Sequence, residues 1–145
     1  MQTEPPKIVI DTQVVMDWLV FGDARIAPLA AAIEAGRINW IGREAMLAEL
    51  RHVLGRGVAA AWQPDLSRIE QAFSAHCQMV VAEPAPAVRL VCRDPDDQQF
   101  IDLALAERAA WLLSRDKAVL ALRKRALTFG LTIGTPELWL KSQPA

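Results

Sequence analysis

The sequence predicts an α/β fold: a three-layer α/β/α sandwich around a central, mostly parallel sheet of four or five strands. Three observations carry the prediction. Short apolar, β-branched runs alternate with helical segments of roughly ten or more residues, as parallel strands joined by crossover helices must. Two of those runs lead straight into an acid, Asp11 and Asp116, at the place where an open parallel sheet binds its ligands. The chain also has 145 residues, 52% of them hydrophobic, enough to bury the core of one compact domain spanning residues 1–145.

The first strand is Lys7-Ile8-Val9-Ile10, bounded by prolines before it and by Asp11 after it. Thr12 then caps a short helix whose inner face is Val14, Val15, Trp18 and Leu19, ending at Gly22-Asp23. A second helix runs from Ala24 to Ala35 and stops at Gly36. Ile38-Asn39-Trp40-Ile41 is a strand, followed by a helix from Arg43 to Leu54 with Met46, Leu47, Leu50, Val53 and Leu54 inward and Glu49 near the edge of the stripe. Pro64 opens a helix to His76, and Met79-Val80-Val81-Ala82 reads as the third strand. A proline-bearing loop, 84–93, delivers Asp94 as an N-cap and Pro95 as the first residue of a helix that ends at Ala106. Ala110–Ser114 is the next strand and ends next to Asp116. A helix from Lys117 to Phe129, a last strand Leu131-Thr132-Ile133 and a short helix opened by Pro136 complete the chain.

Composition narrows the function. Lys and Arg number 16 against 17 Asp and Glu, so no global field draws the protein to a polyanion and any such partner must be held locally. Cys77 and Cys92 are too few and too far apart for a thiolate zinc site or a disulfide framework, and read as small apolar residues in a reducing compartment. No stretch approaches the roughly 20 apolar residues of a membrane span, and Met1–Pro6 is polar rather than a signal segment. The expectation is a cytoplasmic protein with no membrane partner.

The chemistry lies in the acids. Asp11 and Asp116 end two strands, Glu49 rides on one helix, and Asp94, Asp96 and Asp97 cluster at the start of another. Carboxylates brought together repel unless a divalent cation neutralises them, and oxygen donors of this kind suit Mg2+ or Mn2+. Such a cation polarises a phosphoryl oxygen and activates water, chemistry suited to phosphodiester hydrolysis. Each acid also has a plainer reading. Asp94 before Pro95, and Asp116 before Lys117, are good helix caps, and Asp11 could cap too. At least one carboxyl of the group should have a raised pKa before metal arrives.

The residues resemble a known family at this point. Val9-Ile10-Asp11-Thr12-Gln13-Val14-Val15 is similar to the opening motif of PIN domains, usually Asp-Thr-Asn, and Glu49-Leu50 falls where that family carries an acid on an early helix. Arg93-Asp94-Pro95-Asp96-Asp97 through Phe100 and Ala104-Leu105-Ala106, followed by Leu113-Ser114-Arg115-Asp116, resembles a bacterial branch described as toxins of toxin-antitoxin systems. The resemblance implies a Mg2+- or Mn2+-dependent endoribonuclease acting on single-stranded RNA, often dimeric and often inhibited by a small antitoxin protein. It maps catalytic, metal-binding acids onto Asp11, Glu49, Asp97 and Asp116, adds Asp94 as a fifth acid, and makes Thr12 and Ser114 supporting residues. Gln13 departs from the motif, and its longer side chain puts in question the hydrogen bond that would orient a neighbouring acid.

Arg115, Lys117, Arg123, Lys124 and Arg125 form the densest basic region, read either as a solvated face or as the hold on an RNA backbone. The five tryptophans fit a core, with base stacking as the other reading. A homodimer would cover apolar surface expected on the helix 24–35. An aspartyl phosphatase is disfavoured because position 13 is Gln, and a nucleotide-binding module because neither glycine-rich phosphate motif occurs. The rival reading is a non-catalytic PIN-like module that binds RNA or protein without cutting it.

Overall fold

A computed structural model describes residues 4–144, so Met1–Thr3 of the polar amino-terminal stretch lie outside it. Five strands form one sheet: β1 (Lys7–Ile10), β2 (Asn39–Gly42), β3 (Cys77–Met79), β4 (Trp111–Leu113) and β5 (Thr132–Gly134), in the order β3-β2-β1-β4-β5. Every pairing is parallel, with Ile8 opposite Trp40 on one side and Val9 opposite Leu112 on the other. The helices are α1 (Thr12–Leu19), α2 (Ala27–Glu34), α3 (Glu44–Gly55), α4 (Leu66–His76), α5 (Gln98–Ala106), α6 (Lys117–Leu120), α7 (Arg123–Leu127) and α8 (Pro136–Ser142).

The two-residue period of β1 divides the core. Ile8 and Ile10 pack with Val14 and Trp18 of α1, Leu29 of α2, Leu50 of α3 and Phe73 of α4. Val9, between them in sequence, points the other way, to Phe100 and Ile101 of α5 and Val119 of α6. Helices therefore cover both faces of the sheet, the three layers that the alternation of runs predicts. The chain passes from β1 to β2 to β3, then returns to the far side of β1 to lay down β4 and β5. That reversal opens a crevice between β1 and β4 at their carboxyl ends.

Several boundaries differ from the sequence reading for physical reasons. The third strand forms at Cys77–Met79 because α4 runs directly into the register set by Trp40 opposite Cys77; Val81, read as strand, is 90% exposed. Asp11, not Thr12, is the cap of α1, and Thr12 is its first helical residue. The helix expected over 24–35 begins as a 3-10 turn, Ala24–Ile26, capped by Asp23. The one expected over 117–129 breaks after Leu120, which lets Leu122 and Ala126 both reach the core. Helix α2 buries Leu29, Ala32 and Ile33 and leaves Ala27 and Ala31 exposed. Gly134 ends β5 where a Cβ would lie 2.6 Å from Leu138 Cδ2, the far end of an exposed side chain that would have to turn aside. No helix among the described residues is long and apolar enough to cross a membrane.

Candidate functional site

Asp11 directly follows β1, and its backbone N–H donates to the Leu113 carbonyl at 3.1 Å, which fixes it against the end of β4. Its side chain is 4% exposed, with Oδ1 accepting the Val14 N–H at 3.0 Å to cap α1. Burial pushes this carboxyl up to about 6, against the opposing effect of hydrogen bonds from Ser114 and Val14. Ser114 is fully buried beside two acids: its Oγ accepts the Asp116 N–H at 2.9 Å, and its hydroxyl helps to hold the Asp11 pKa down.

Asp116 is exposed, and its Oδ1 accepts the Ala118 N–H at 2.8 Å to cap α6. Asp94 caps the 3-10 turn Pro95–Asp97 in the same way, Oδ1 accepting the Asp96 N–H at 3.0 Å. Cap and site are therefore not alternatives. In Asp11, Asp94 and Asp116 one carboxylate oxygen holds a helix start and the other is left over. Asp97 ends that 3-10 turn, and its Oδ2 is buried with no hydrogen-bond partner. Desolvation, and then the charge of Asp116, raise the Asp97 pKa. Asp94, Asp97 and Asp116 each offer a ligand atom within 4.8 Å of the others.

A buried carboxylate oxygen without a donor, facing two more acids, is what a hard divalent cation with oxygen ligands would satisfy. The donor set fits Mg2+ or Mn2+. Asp11 and Glu49 stand outside this closest group, yet both line the same cleft of about 360 Å³ with Asp97 and Asp116. Glu49 reaches it from α3, half-buried, with Oε2 accepting from the Gln99 amide. The four acids singled out in the sequence thus converge, and Asp94 joins the tightest cluster.

The sequence reading did not find Asp17, Gln99 or Glu137. Asp17 is 6% exposed on α1 among the buried Val14, Val15, Met16, Trp18 and Leu19, and an acid inside so apolar a stretch was the available signal. Arg115 Nε donates to Asp17 Oδ2 at 3.0 Å, and its two terminal nitrogens fork onto Glu137 at 2.8 and 2.7 Å. Glu137 is held below its ordinary pKa by that guanidinium. Gln13, exposed, donates to Asp17 Oδ1 at 2.9 Å and not to Asp11. The departure at position 13 therefore serves the ion-pair network, and the Val14 N–H orients Asp11. Among the five cations of the basic region Arg115 alone lines the cleft; Lys117, Arg123, Lys124 and Arg125 are exposed on α6 and α7 outside it.

The sequence model of one protein family, the PIN domain, matches residues 7–118, from the first strand through Asp116. No curated protein matches the chain.

Proposed function

The chain belongs to the PIN domain family, generally a nuclease fold, and on that premise we propose that it is a Mg2+- or Mn2+-dependent endoribonuclease cutting single-stranded RNA, the toxin of a toxin-antitoxin pair. The observation that carries the reading is the buried, unpartnered Oδ2 of Asp97, an acid that groups with Asp94 and Asp116. Asp97, Asp116 and Asp94 would hold the cation, with Asp11 behind them at the end of β1. A divalent cation there supplies charge neutralisation at a phosphodiester oxygen and a lowered pKa for water. Everything else is work for the chain's own residues.

The Val14 N–H on Oδ1, and the backbone bond from Asp11 to Leu113, hold Asp11 in one orientation. Glu49, whose carboxylate accepts from the Gln99 amide, orients the attacking water and accepts its proton; the water oxygen bonds to phosphorus as the bond to the ribose oxygen breaks, and that oxygen leaves with a proton from solvent. Arg115 is spoken for by Asp17 and Glu137, so it shapes the cleft wall more than it clamps phosphate. Lys117 and the exposed Arg123, Lys124 and Arg125 supply attraction for RNA running out of the cleft. The toxin role rests on the likeness of residues 93–97 and 113–116 to that branch, and a small antitoxin protein is the partner it implies.

Cleavage of a labelled single-stranded RNA in Mn2+ and in Mg2+ is the test. Asp97→Asn and Asp116→Asn should each lower the rate by at least roughly a hundredfold while the protein stays folded, and the double variant should lose little more, because the acids act as one unit. If RNA is bound but never cut with either metal, and the Asn variants bind it as well as the parent, the protein is a non-catalytic module.

A further inference from the structure

Three tryptophans, Trp18, Trp40 and Trp139, are buried in the core and Trp111 is half-buried, but Trp62 is 59% exposed. It ends the 3-10 turn Ala60–Trp62 between two non-glycine residues in left-handed backbone, Ala59 at φ 63° and Gln63 at φ 49°. A tryptophan left in water, on a turn held between two residues in backbone that L-residues disfavour, marks a surface kept for contact.

Two links tie that ring to the acidic cleft. Val58, four residues earlier in the same connection, forms part of the cleft wall. On its other side the ring meets Phe21 edge-to-face, centroids 5.0 Å apart, and the Phe21 N–H donates to the carbonyl of Met16, another wall residue. Helix α1, which leads from Asp11 toward Phe21, is about 12 Å long at the α-helical rise, so the ring stands a short span of chain from the acids. The connection 55–63 carries one charged residue, Arg56, exposed and in no ion pair among the described residues, and no acid. An aromatic face and a cation carried on one short connection suit a base and the phosphate joined to it.

Resting on the nuclease reading above, we propose that Trp62 is a stacking platform for a base of single-stranded RNA flanking the scissile phosphodiester, with Arg56 on the adjoining phosphate. Stacking is open to every base, so the platform selects for an unpaired nucleotide at that position and not for a sequence. A duplex, whose bases are already stacked on each other, is excluded.

The test is Mn2+-supported cleavage of a labelled single-stranded oligonucleotide by the full chain, with Trp62→Ala and Trp62→Phe variants and a substrate series in which one base at a time is removed. Trp62→Ala should raise KM about tenfold or more, with the loss falling on KM rather than kcat, while Trp62→Phe stays within about threefold of the parent. One abasic position on one side of the cut should raise the parent's KM equally and add nothing in Trp62→Ala. If Trp62→Ala does not fold, Trp62→Phe and the abasic series decide alone. Parental cleavage with KM insensitive to Trp62 and to every abasic position overturns the platform and leaves the nuclease standing. A parent that neither binds nor cuts RNA overturns both. An unchanged KM with an altered mass in light scattering assigns Trp62 to a contact between chains and also overturns the proposal.

Discussion

Asp17 and Asp97 are both carboxylates drawn out of water near the same cleft, and they differ in their company. Asp17 has the Arg115 guanidinium at 3.0 Å and the Gln13 amide at 2.9 Å, and Arg115 in turn is satisfied by Glu137. Asp97 has two more acids for neighbours and an oxygen with no donor. The consequences run in opposite directions: Glu137 is held below its ordinary pKa, whereas Asp97 is pushed above its own. An ion pair completed inside the chain ties elements together, here α1, the β4–α6 turn and α8. A set of like charges left incomplete costs stability and is kept where something from outside completes it.

Breaking the completed side should cost most. Arg115→Ala leaves Asp17 buried without its cation, and the expected loss is about 3 kcal/mol, read as a fall in urea midpoint at pH 7. A midpoint unchanged by that substitution would mean the network is decoration. The incomplete side should behave in the opposite sense. The Asp11 carboxyl sits at about 6 against an ordinary 3.8, so the folded state binds its proton more tightly than the unfolded state does. The stability that follows is fully present below about pH 3.8 and is lost as pH rises through about 6, amounting to roughly 2 to 3 kcal/mol. Metal-free Asp11→Asn should lack this slope and unfold no more easily than the parent at pH 8. The smallest effect sharpens the contrast: millimolar Mn2+ or Mg2+ should raise the parent's melting temperature by a few degrees and leave Asp97→Asn unmoved. Equal shifts in both would locate the ion elsewhere.

The legible parts of the molecule were those written in consecutive residues. Lys7–Ile10 and Trp111–Leu113 announce themselves as apolar runs that stop on acids, so both the parallel sheet and the meeting of Asp11 with Asp116 could be read directly. Strands of three residues fall one to three positions from where their composition puts them, because their ends are set by partners such as Trp40 opposite Cys77. The Asp17–Arg115–Glu137 network was not legible: its members lie far apart in sequence and each looks ordinary alone. Asp94 was readable as cap or as site acid, and only its two oxygens, one bonded to Asp96 N–H and one free for the cluster, show that it can be both.

The place of β1 in the sheet governs when the cleft can exist. Its one edge can pair with β2 early, Lys7 with Asn39, but the other waits for Trp111–Leu113, and Asp11 is not fixed until its N–H finds the Leu113 carbonyl. Contacts this distant in sequence form late, after the loop between them has been closed. On the ribosome the chain has been extended beyond Asp116 before the acids can meet. The acidic cleft thus comes into being only once synthesis has passed Asp116.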